Sequence, residues 1–211
     1  MRKNIIKKAI NYPEGFKLLI CKRTYPPSED SYLIIDSLLK INLKNIKIAL
    51  DVGCGSGIIT CFLARFANKV YAIDINPYAL NCTANNIILN KLSNRVILLY
   101  SDLFSSIPPE IKFDLIVFNP PYLPINDTEK IADEYLELAW CGGRDGTNII
   151  INFLLQAIKH LYVGGRIVLL ISSLSNVKKI YSTIKKLGLK YSVIANYKTF
   201  FEELKVLLIS E

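Results

Sequence analysis

The sequence lacks any long hydrophobic run. Its longest apolar stretches, Ile167–Ile171 and Val206–Ile209, are the length of strands, whereas a membrane-spanning helix needs about 18 or more consecutive apolar residues. The basic start Met1-Arg2-Lys3-Asn4 is not followed by an apolar segment, so we expect no secretory signal. These absences predict a cytoplasmic protein.

Residues that bind metals or form disulfides are scarce. The five cysteines are odd in number and form no CxxC pair, which predicts neither a disulfide framework nor a structural zinc site. We expect most of them to be buried thiols. The single histidine, His160, has no second ligand or nucleophile at a suitable spacing, so we predict a structural role for it and no metal site. The cysteines are Cys21, Cys54, Cys61, Cys82 and Cys141.

Acidic residues are fewer than basic ones, with 18 against 26 and a net charge of +8. This balance leaves anionic partners open. The excess is concentrated in residues 1–50, which hold ten Lys or Arg against four acids, whereas residues 123–145 hold six acids against two bases. Because nucleic-acid affinity comes chiefly from cations near phosphates, the acidic segment disfavours a polyanionic substrate beside it.

From Ile46 onward, short β-rich runs alternate with segments of helical periodicity. This alternation predicts an α/β protein with a mostly parallel seven-stranded sheet and helices on both faces, which is a Rossmann-like architecture. The predicted strands are Ile46–Val52, Val70–Asp74, Val96–Tyr100, Leu115–Asn119, Arg166–Ser172, Tyr191–Ala195 and Leu204–Ile209. The predicted helices are Ser28–Ile41, Gly57–Ala67, Pro77–Asn90, Gly146–Leu161 and Ser175–Leu187.

The length of 211 residues suits one domain. We divide it into an N-terminal extension, residues 1–45, and a core, residues 46–211. The extension is too short for a substantial second domain. Pro120–Asp145 is the longest irregular stretch, and we expect it to be functional because long loops in compact domains seldom lack a role.

A glycine-rich turn, Asp51–Gly57, stands where the first core strand ends and a helix begins. Gly53 and Gly55 let the backbone turn tightly and approach a ligand. The glycines follow the pattern GxGxG and not the GxGxxG of dinucleotide-binding turns. Asp51 would repel a pyrophosphate and suits a ligand with a positively charged end.

The next two strands also end in acids. Asp74 lies at the position where α/β nucleotide folds hold ribose hydroxyls, although a helix-capping role is the alternative. Asp102 follows the third strand and is expected to accept a hydrogen bond from an adenine amino group, with the Leu103 N–H facing the ring. Three acids in register at one sheet edge predict a ligand pocket.

Asn119-Pro120-Pro121-Tyr122 ends the fourth strand and is the most specific motif of the chain. Two prolines cannot continue a central strand, so they form a rigid turn that directs Asn119 and Tyr122 into the cleft. The Asn119 side-chain oxygen and the Pro120 carbonyl can each accept one hydrogen of a substrate NH₂ group, while Pro121 and the Tyr122 ring contact its planar body. This arrangement predicts nitrogen methylation.

Together these motifs resemble class I methyltransferases that use S-adenosylmethionine. The segments Tyr25–Ser31 and Ala139–Gly146 narrow the resemblance to the short eukaryotic and archaeal branch of the HemK/PrmC family, the glutamine methyltransferases of translation release factors. The resemblance implies that the first segment lids the cofactor, with Ser31 near its carboxylate. It implies that the second leads into the helix behind the catalytic loop. Many family members have glutamate where this chain has Asp51.

The resemblance also implies a partner. Bacterial members carry an additional helical domain that binds the release factor, and the N-terminal extension of this chain is too short for it. In the short branch a small zinc-binding activator subunit docks on the sheet edge and stabilises the enzyme. We therefore expect a heterodimer.

The predicted function is methylation of the side-chain amide nitrogen, N5, of the glutamine in the Gly-Gly-Gln motif of a class I release factor. One alternative is an adenine N6-methyltransferase acting on DNA or RNA, which uses the same Asn-Pro-Pro-aromatic device on a flipped base. Another is a noncatalytic cofactor-binding subunit. The acidic segment disfavours the first and the intact Asn119 and Tyr122 disfavour the second, while the sequence leaves the exact substrate and the oligomeric state open.

Overall fold

The structure is a computed structural model that describes residues 5–11, 15–124, 135, 137 and 139–211. The strands are β1 (Ile5–Asn11), β2 (Lys17–Cys21), β3 (Ile48–Val52), β4 (Lys69–Asp74), β5 (Val96–Tyr100), β6 (Phe113–Phe118), β7 (Leu161–Ser172), β8 (Lys190–Lys198) and β9 (Glu203–Ser210). The helices are α1 (Glu29–Lys40), α2 (Ile58–Leu63), α3 (Pro77–Leu89), α4 (Asn148–Ala157) and α5 (Val177–Lys186). No helix in the described part of the chain has both the length and the apolarity to cross a membrane.

Seven strands form one sheet in the order β5-β4-β3-β6-β7-β9-β8. The strands from β5 to β7 are parallel, and β9 runs antiparallel to both of its neighbours. The prediction of a mostly parallel seven-stranded sheet is thus confirmed. Strand order reverses between β3 and β6, and open α/β sheets bind ligands at such a switch point, outside the carboxyl ends of the strands.

Helices cover both faces of this sheet because the central strands are apolar on both sides. In β6, Leu115 and Val117 pack in one core with residues of α1 and α2. The alternate residues Ile116 and Phe118 pack in a second core with residues of α4 and α5. The period of two along β6 therefore fixes which helix lies on which face.

The hairpin formed by β1 and β2 was not among the predicted strands. Its two strands pair antiparallel in a sheet of their own. The edge of β2 is completed by side chains of α3: Asn86 exchanges two hydrogen bonds with the Leu19 backbone, at 2.7 and 3.0 Å, and Asn90 exchanges two with the Lys17 backbone, at 2.8 and 2.7 Å. Two asparagines one helical turn apart thus take the place of a third strand.

A disulfide joins Cys21 of β2 to Cys82 of α3, so the expectation of unpaired thiols is wrong for this pair. The two residues are 61 positions apart and become neighbours only because β2 packs on α3. Cysteine spacing alone does not reveal such a contact. Cys54, Cys61 and Cys141 are free, as expected, and the first two are buried.

The predicted helices all exist, and each is shorter than predicted, most of all α2 and α4. Beyond Leu63 the backbone tightens, with the Arg65 N–H bonding to the Phe62 carbonyl, so α2 is shorter than Gly57–Ala67. Ser28 is the N-cap residue of α1, but its hydroxyl donates to the Glu29 carboxylate and makes no cap bond to the helix.

Candidate active site

A cavity of about 810 Å³ lies outside the carboxyl ends of β3, β4 and β6. It is lined by residues of the glycine-rich turn, by Asp74, by the turn after β5, by Asn119–Leu123, and by Tyr25, Asp30 and Ser31 of the N-terminal extension. The motifs that the sequence analysis selected therefore meet around one space at the switch point of the sheet.

The glycine-rich turn adopts a backbone that needs glycine. Gly53, Gly55 and Gly57 have φ values of 65°, 54° and 83°, in the left-handed region that other residues avoid. A Cβ at Gly57 would lie 2.9 Å from the Thr83 side chain, so α2 and α3 approach closely only because this position has no side chain. At Gly53 and Gly55, which line the cavity, only backbone is available to a ligand.

Asp74 holds this turn in place. Its two carboxylate oxygens accept hydrogen bonds from the backbone N–H groups of Gly55, at 2.9 Å, and Asn76, at 2.8 Å. Burial raises the pKa of Asp74, and these N–H bonds oppose the rise. The alternative role as a helix cap falls instead to Asn76, which accepts from the Tyr78 N–H at the start of α3. Each Asp74 oxygen keeps a lone pair for a ligand at the cavity.

Asp51 lies deeper than predicted. It stands opposite Ala72 in the sheet, whereas Asp74 stands opposite Tyr100, so the three acids are not in register and Asp51 is two residues further from the strand ends. It is fully enclosed and is not among the residues that line the cavity. One oxygen accepts from the Thr60 hydroxyl, and the other has no hydrogen-bond partner within the described residues. Burial raises the pKa of Asp51 to about 7.

Asp102 and Leu103 form the cavity wall after β5. Leu103 has a φ of 47°, unusual for a residue with a side chain. The Ser101 hydroxyl donates to the Leu103 carbonyl at 2.7 Å and accepts from the Ser106 N–H at 3.0 Å, which stabilises this turn. The Asp102 side chain is exposed and its N–H bonds to the Ser105 hydroxyl, so its carboxylate is available at the rim.

Asn119 lines the cavity and carries an unsatisfied acceptor. Its side-chain Oδ1 is buried and has no hydrogen-bond partner within the described residues. A buried polar atom without a partner costs roughly 1 to 3 kcal/mol, and such atoms are rare in native proteins. The atom therefore indicates a donor that arrives with a ligand. Pro120, Pro121 and Tyr122 line the cavity beside it.

The segment 139–146 is hydrogen-bonded to the end of the Asn119–Tyr122 turn and, as the resemblance implied, leads into a helix. Leu123 donates its N–H to the Trp140 carbonyl and accepts from the Gly142 N–H, at 3.0 and 2.9 Å. Gly146 has a φ of 69°, and a Cβ there would lie 2.3 Å from the Tyr122 carbonyl oxygen. The segment then enters α4, where Asp145 accepts from the N–H and hydroxyl of Thr147.

Two carboxylates that the sequence analysis missed surround Tyr122. Glu202, in the turn between β8 and β9, is a hydrogen-bond partner of the Tyr122 hydroxyl and also accepts from the Ser172 hydroxyl at 2.6 Å. Asp30 adds negative charge nearby, and together with burial these groups raise the pKa of Tyr122. Tyr122 is therefore a neutral donor. Glu202 lies 80 residues from Tyr122 in the chain, and no local pattern identifies such a partner.

The predicted lid lies at the cavity. Ser31 donates its N–H and hydroxyl to Asp30, and the Tyr25 hydroxyl is a second hydrogen-bond partner of that carboxylate. Tyr25 meets Trp140 edge to face, with ring centroids 6.4 Å apart. The lid is thus hydrogen-bonded within itself and contacts the segment 139–146 through Trp140.

A cation–π contact that the sequence analysis also missed lies beside the lid. The Arg23 guanidinium lies 4.2 Å from the Tyr78 ring centroid and 5.3 Å from that of Tyr135. It connects the extension to α3.

Two other predictions concern residues away from this cavity. His160 stacks on Phe104, with centroids 4.9 Å apart, and its Nδ1 pairs with the Ile111 carbonyl, which accounts for it structurally. Four acids of the acidic segment 123–145, at positions 127, 129, 133 and 134, lie outside the described residues.

Comparisons with known proteins agree with this geometry. The model of the methyltransferase small domain family matches residues 30–140. A putative protein N5-glutamine methyltransferase of Methanocaldococcus jannaschii is 39% identical, over 92% of this chain and 95% of the relative. Methyltransferase HEMK2 of Mus musculus is 32% identical, over 89% of each. A release factor glutamine methyltransferase of Rhodopirellula baltica is 34% identical over 70% of this chain, which covers 53% of that longer relative.

Solved structures give the same result. The E. cuniculi Mtq2–Trm112 complex, responsible for the methylation of the translation termination factor eRF1, superposes with a TM-score of 0.71 at 26% identity, covering 90% of this chain and 99% of that chain. A 16S rRNA methyltransferase of T. thermophilus, at 18% identity and a TM-score of 0.74, covers 99% of this chain and 51% of that one and shares the fold. The chain therefore belongs to the HemK/PrmC family of methyltransferases, in its eukaryotic and archaeal branch.

Proposed function

We propose that this methyltransferase transfers the methyl group of S-adenosylmethionine to the side-chain amide nitrogen of the glutamine in the Gly-Gly-Gln motif of a class I release factor. Support comes from the relatives, which are named as glutamine methyltransferases. The observation in this chain that carries the proposal is the buried Asn119 Oδ1 without a partner. A primary amide brings the N–H that this acceptor needs.

The residues around the glycine-rich turn fit the cofactor. Asp74 keeps free lone pairs at the cavity for two ribose hydroxyls, Asp102 and the Leu103 N–H would hold the adenine, and Ser31 closes the other end. Gly53 and Gly55 let the ligand approach the backbone. When bound there, S-adenosylmethionine supplies an electrophilic methyl group.

The substrate residues act by positioning. Asn119 Oδ1 accepts one amide hydrogen and the Pro120 carbonyl accepts the other, which fixes the nitrogen and increases its electron density. The Tyr122 ring stacks on the amide plane, held by its hydroxyl bond to Glu202. The nitrogen becomes acidic as it gains the methyl, so its proton leaves to water and no strong general base is needed. This agrees with the neutral state of Tyr122.

We also propose that a small zinc-binding activator covers the β5 edge of the sheet. This edge carries Tyr100, 61% exposed, and the neighbouring helix α3 carries Ile88, 67% exposed, and Leu89. An apolar sheet edge exposed to water invites association. The Mtq2 relative forms a complex with Trm112. The isolated chain is expected to aggregate more readily and to melt at a lower temperature than the complex.

The experiment is mass spectrometry of a release factor incubated with the enzyme, the activator and labelled cofactor. We expect one added methyl group on the Gly-Gly-Gln glutamine. A release factor with that glutamine changed to alanine is the matched control and is expected to stay unlabelled. Oligonucleotides containing adenine are offered in parallel at physiological salt. Label on adenine at an equal or higher rate would overturn the proposal.

A further inference from the structure

Two phenylalanines stand almost fully in water at the turn between β8 and β9. Phe200 is 93% exposed and Phe201 is 85% exposed, which makes them the two most exposed large apolar side chains in the described part of the chain. Their rings contact each other edge to face, with centroids 4.9 Å apart. Burying one such side chain gains about 1.5 to 3 kcal/mol, so this exposure indicates that something else covers the pair.

The turn does not need these rings to hold its shape. Thr199 closes it from both sides: its N–H and its hydroxyl donate to the Glu202 carbonyl at 2.8 and 3.1 Å, and its hydroxyl accepts from the Glu202 N–H at 3.1 Å. Polar side chains suit such turns better than phenylalanine. The fold therefore gives no reason for aromatic residues at 200 and 201.

The same turn is connected to the candidate active site. Glu202 follows Phe201 directly and is the hydrogen-bond partner of Tyr122, and it also binds the Ser172 hydroxyl at the end of β7. Neighbouring Cα atoms lie about 3.8 Å apart, so the backbone of Phe201 lies next to that of Glu202. The Glu202 side chain in turn bonds to Tyr122, the tyrosine that we propose stacks on the substrate. Only Glu202 therefore separates the exposed pair from Tyr122, which lines the cavity.

We propose that Phe200 and Phe201 form a docking surface for the protein substrate and receive an apolar side chain close to the methylated glutamine. This inference rests on the proposed function and identifies a feature of the substrate, beyond the glutamine, that the enzyme recognises. Because Phe201 precedes the residue that bonds to Tyr122, we expect the apolar side chain within about three positions of the glutamine, a span of about 10 Å in extended chain. A glutamine amide is small and flexible, and contacts of this kind supply the recognition that the amide cannot.

The test compares Phe200→Ser/Phe201→Ser with the wild type in the activator complex, using steady-state methylation of the release factor. We expect KM for the release factor to rise at least about tenfold, as loss of an aromatic interface anchor does, with kcat within about twofold. Cofactor affinity and melting temperature are expected to stay unchanged, and Phe200→Leu/Phe201→Leu is expected to restore most of the loss. The matched control is Tyr162→Ser/Val163→Ser, two exposed apolar residues at the start of β7, at the opposite end of the sheet.

A second measurement uses peptides spanning the target glutamine. Replacing the apolar residues within three positions of it by serine is expected to raise KM for the wild type and to change it little for the serine variant. Unchanged KM in the variant would overturn the inference while leaving the proposed function intact. Loss of activator binding, or loss of self-association on a sizing column, would assign the rings to those partners instead. Absence of glutamine labelling by the wild type itself would refute the proposed function.

Discussion

The two halves of the cavity are built differently. The half that we assign to the cofactor, the cofactor half, comes from the ends of three neighbouring strands, and its carboxylate Asp74 accepts two backbone N–H groups. The half that we assign to the substrate, the substrate half, is assembled from distant segments: the turn after β6, the segment 139–146 and the β8–β9 turn. Its acceptor Asn119 Oδ1 has no partner within the described residues. Asp74 thus has hydrogen-bond partners without a ligand, whereas Asn119 Oδ1 is expected to gain its partner from the ligand.

This difference predicts which substitutions affect both folding stability and ligand binding and which affect activity alone. Groups of the cofactor half support the fold as well as the ligand, so changing them is expected to affect both. Asn119 Oδ1 bonds to no described residue, so changing it is expected to lower the rate of methyl transfer without lowering folding stability. The four variants below test that separation, beginning with the largest effect.

Asn119→Ala is expected to lower the rate of methyl transfer by about 10²- to 10³-fold, the usual loss for one positioned polar group in an active site. Because Oδ1 bonds to no described residue, the melting temperature is expected to remain at the wild-type value. Single-turnover kinetics and a thermal melt measure the two effects. A variant that melts well below the wild type would show that Asn119 also supports the fold.

Asp74→Asn is expected to weaken cofactor binding by about 1.5 to 3 kcal/mol, the value of hydrogen bonds to a charged group, and also to lower the free energy of unfolding. Asp114→Asn is the matched control, since its carboxylate likewise accepts two backbone N–H groups, of Lys47 and Ile48, but at the start of β6. Calorimetry is expected to show weaker cofactor binding only for the Asp74 variant. Equal affinities would remove Asp74 from the site.

Gly146→Ala is expected to displace the Tyr122 turn, because its Cβ would lie 2.3 Å from the Tyr122 carbonyl oxygen. Gly188→Ala provides the control: it has a similar φ, 75°, and no atom within 4 Å of the added Cβ. Both variants bear the strain of about 1 to 2 kcal/mol for a side chain at positive φ, but only the first is expected to lose methyl transfer. Cofactor affinity is expected to survive in both.

Asp51→Asn is expected to change how stability depends on pH. The folded pKa of Asp51 is about 7, above the ordinary 3.8, so the folded chain holds its proton more tightly than the unfolded chain. The tighter proton binding adds to the free energy of unfolding at low pH, and this added stability is lost as pH rises towards 7. Over that range the free energy of unfolding falls by up to about 1.4 kcal/mol per pH unit. Urea unfolding at several pH values is expected to give a shallower decline in the variant. An identical decline would show that Asp51 is ionised in the fold.

The sequence predicted the sheet and several motifs that line the cavity because the patterns that indicate them each lie within a short stretch of chain. Strand periodicity, the glycines of the turn and the acid at the end of β4 all lie within a short stretch of chain, and the Asn119–Tyr122 motif is contiguous. The depth of Asp51 was missed because its offset of two register positions from Asp74 depends on how the strands pair. Three contacts were missed because each joins residues about 60 or more positions apart. They are the Glu202–Tyr122 bond, the Asn86–Leu19 pairing and the Cys21–Cys82 bridge. Such contacts depend on the finished fold.

The pairing of β2 with α3 also sets an order of assembly. The backbone groups of Lys17 and Leu19 bond to asparagines 73 and 67 residues further along the chain, and contacts of such long range form late because closing a long loop costs entropy. During synthesis, the hairpin that precedes the lid has no α3 to pair with until residue 90 has left the ribosome. The hairpin is therefore expected to take its final place only after α3 has formed.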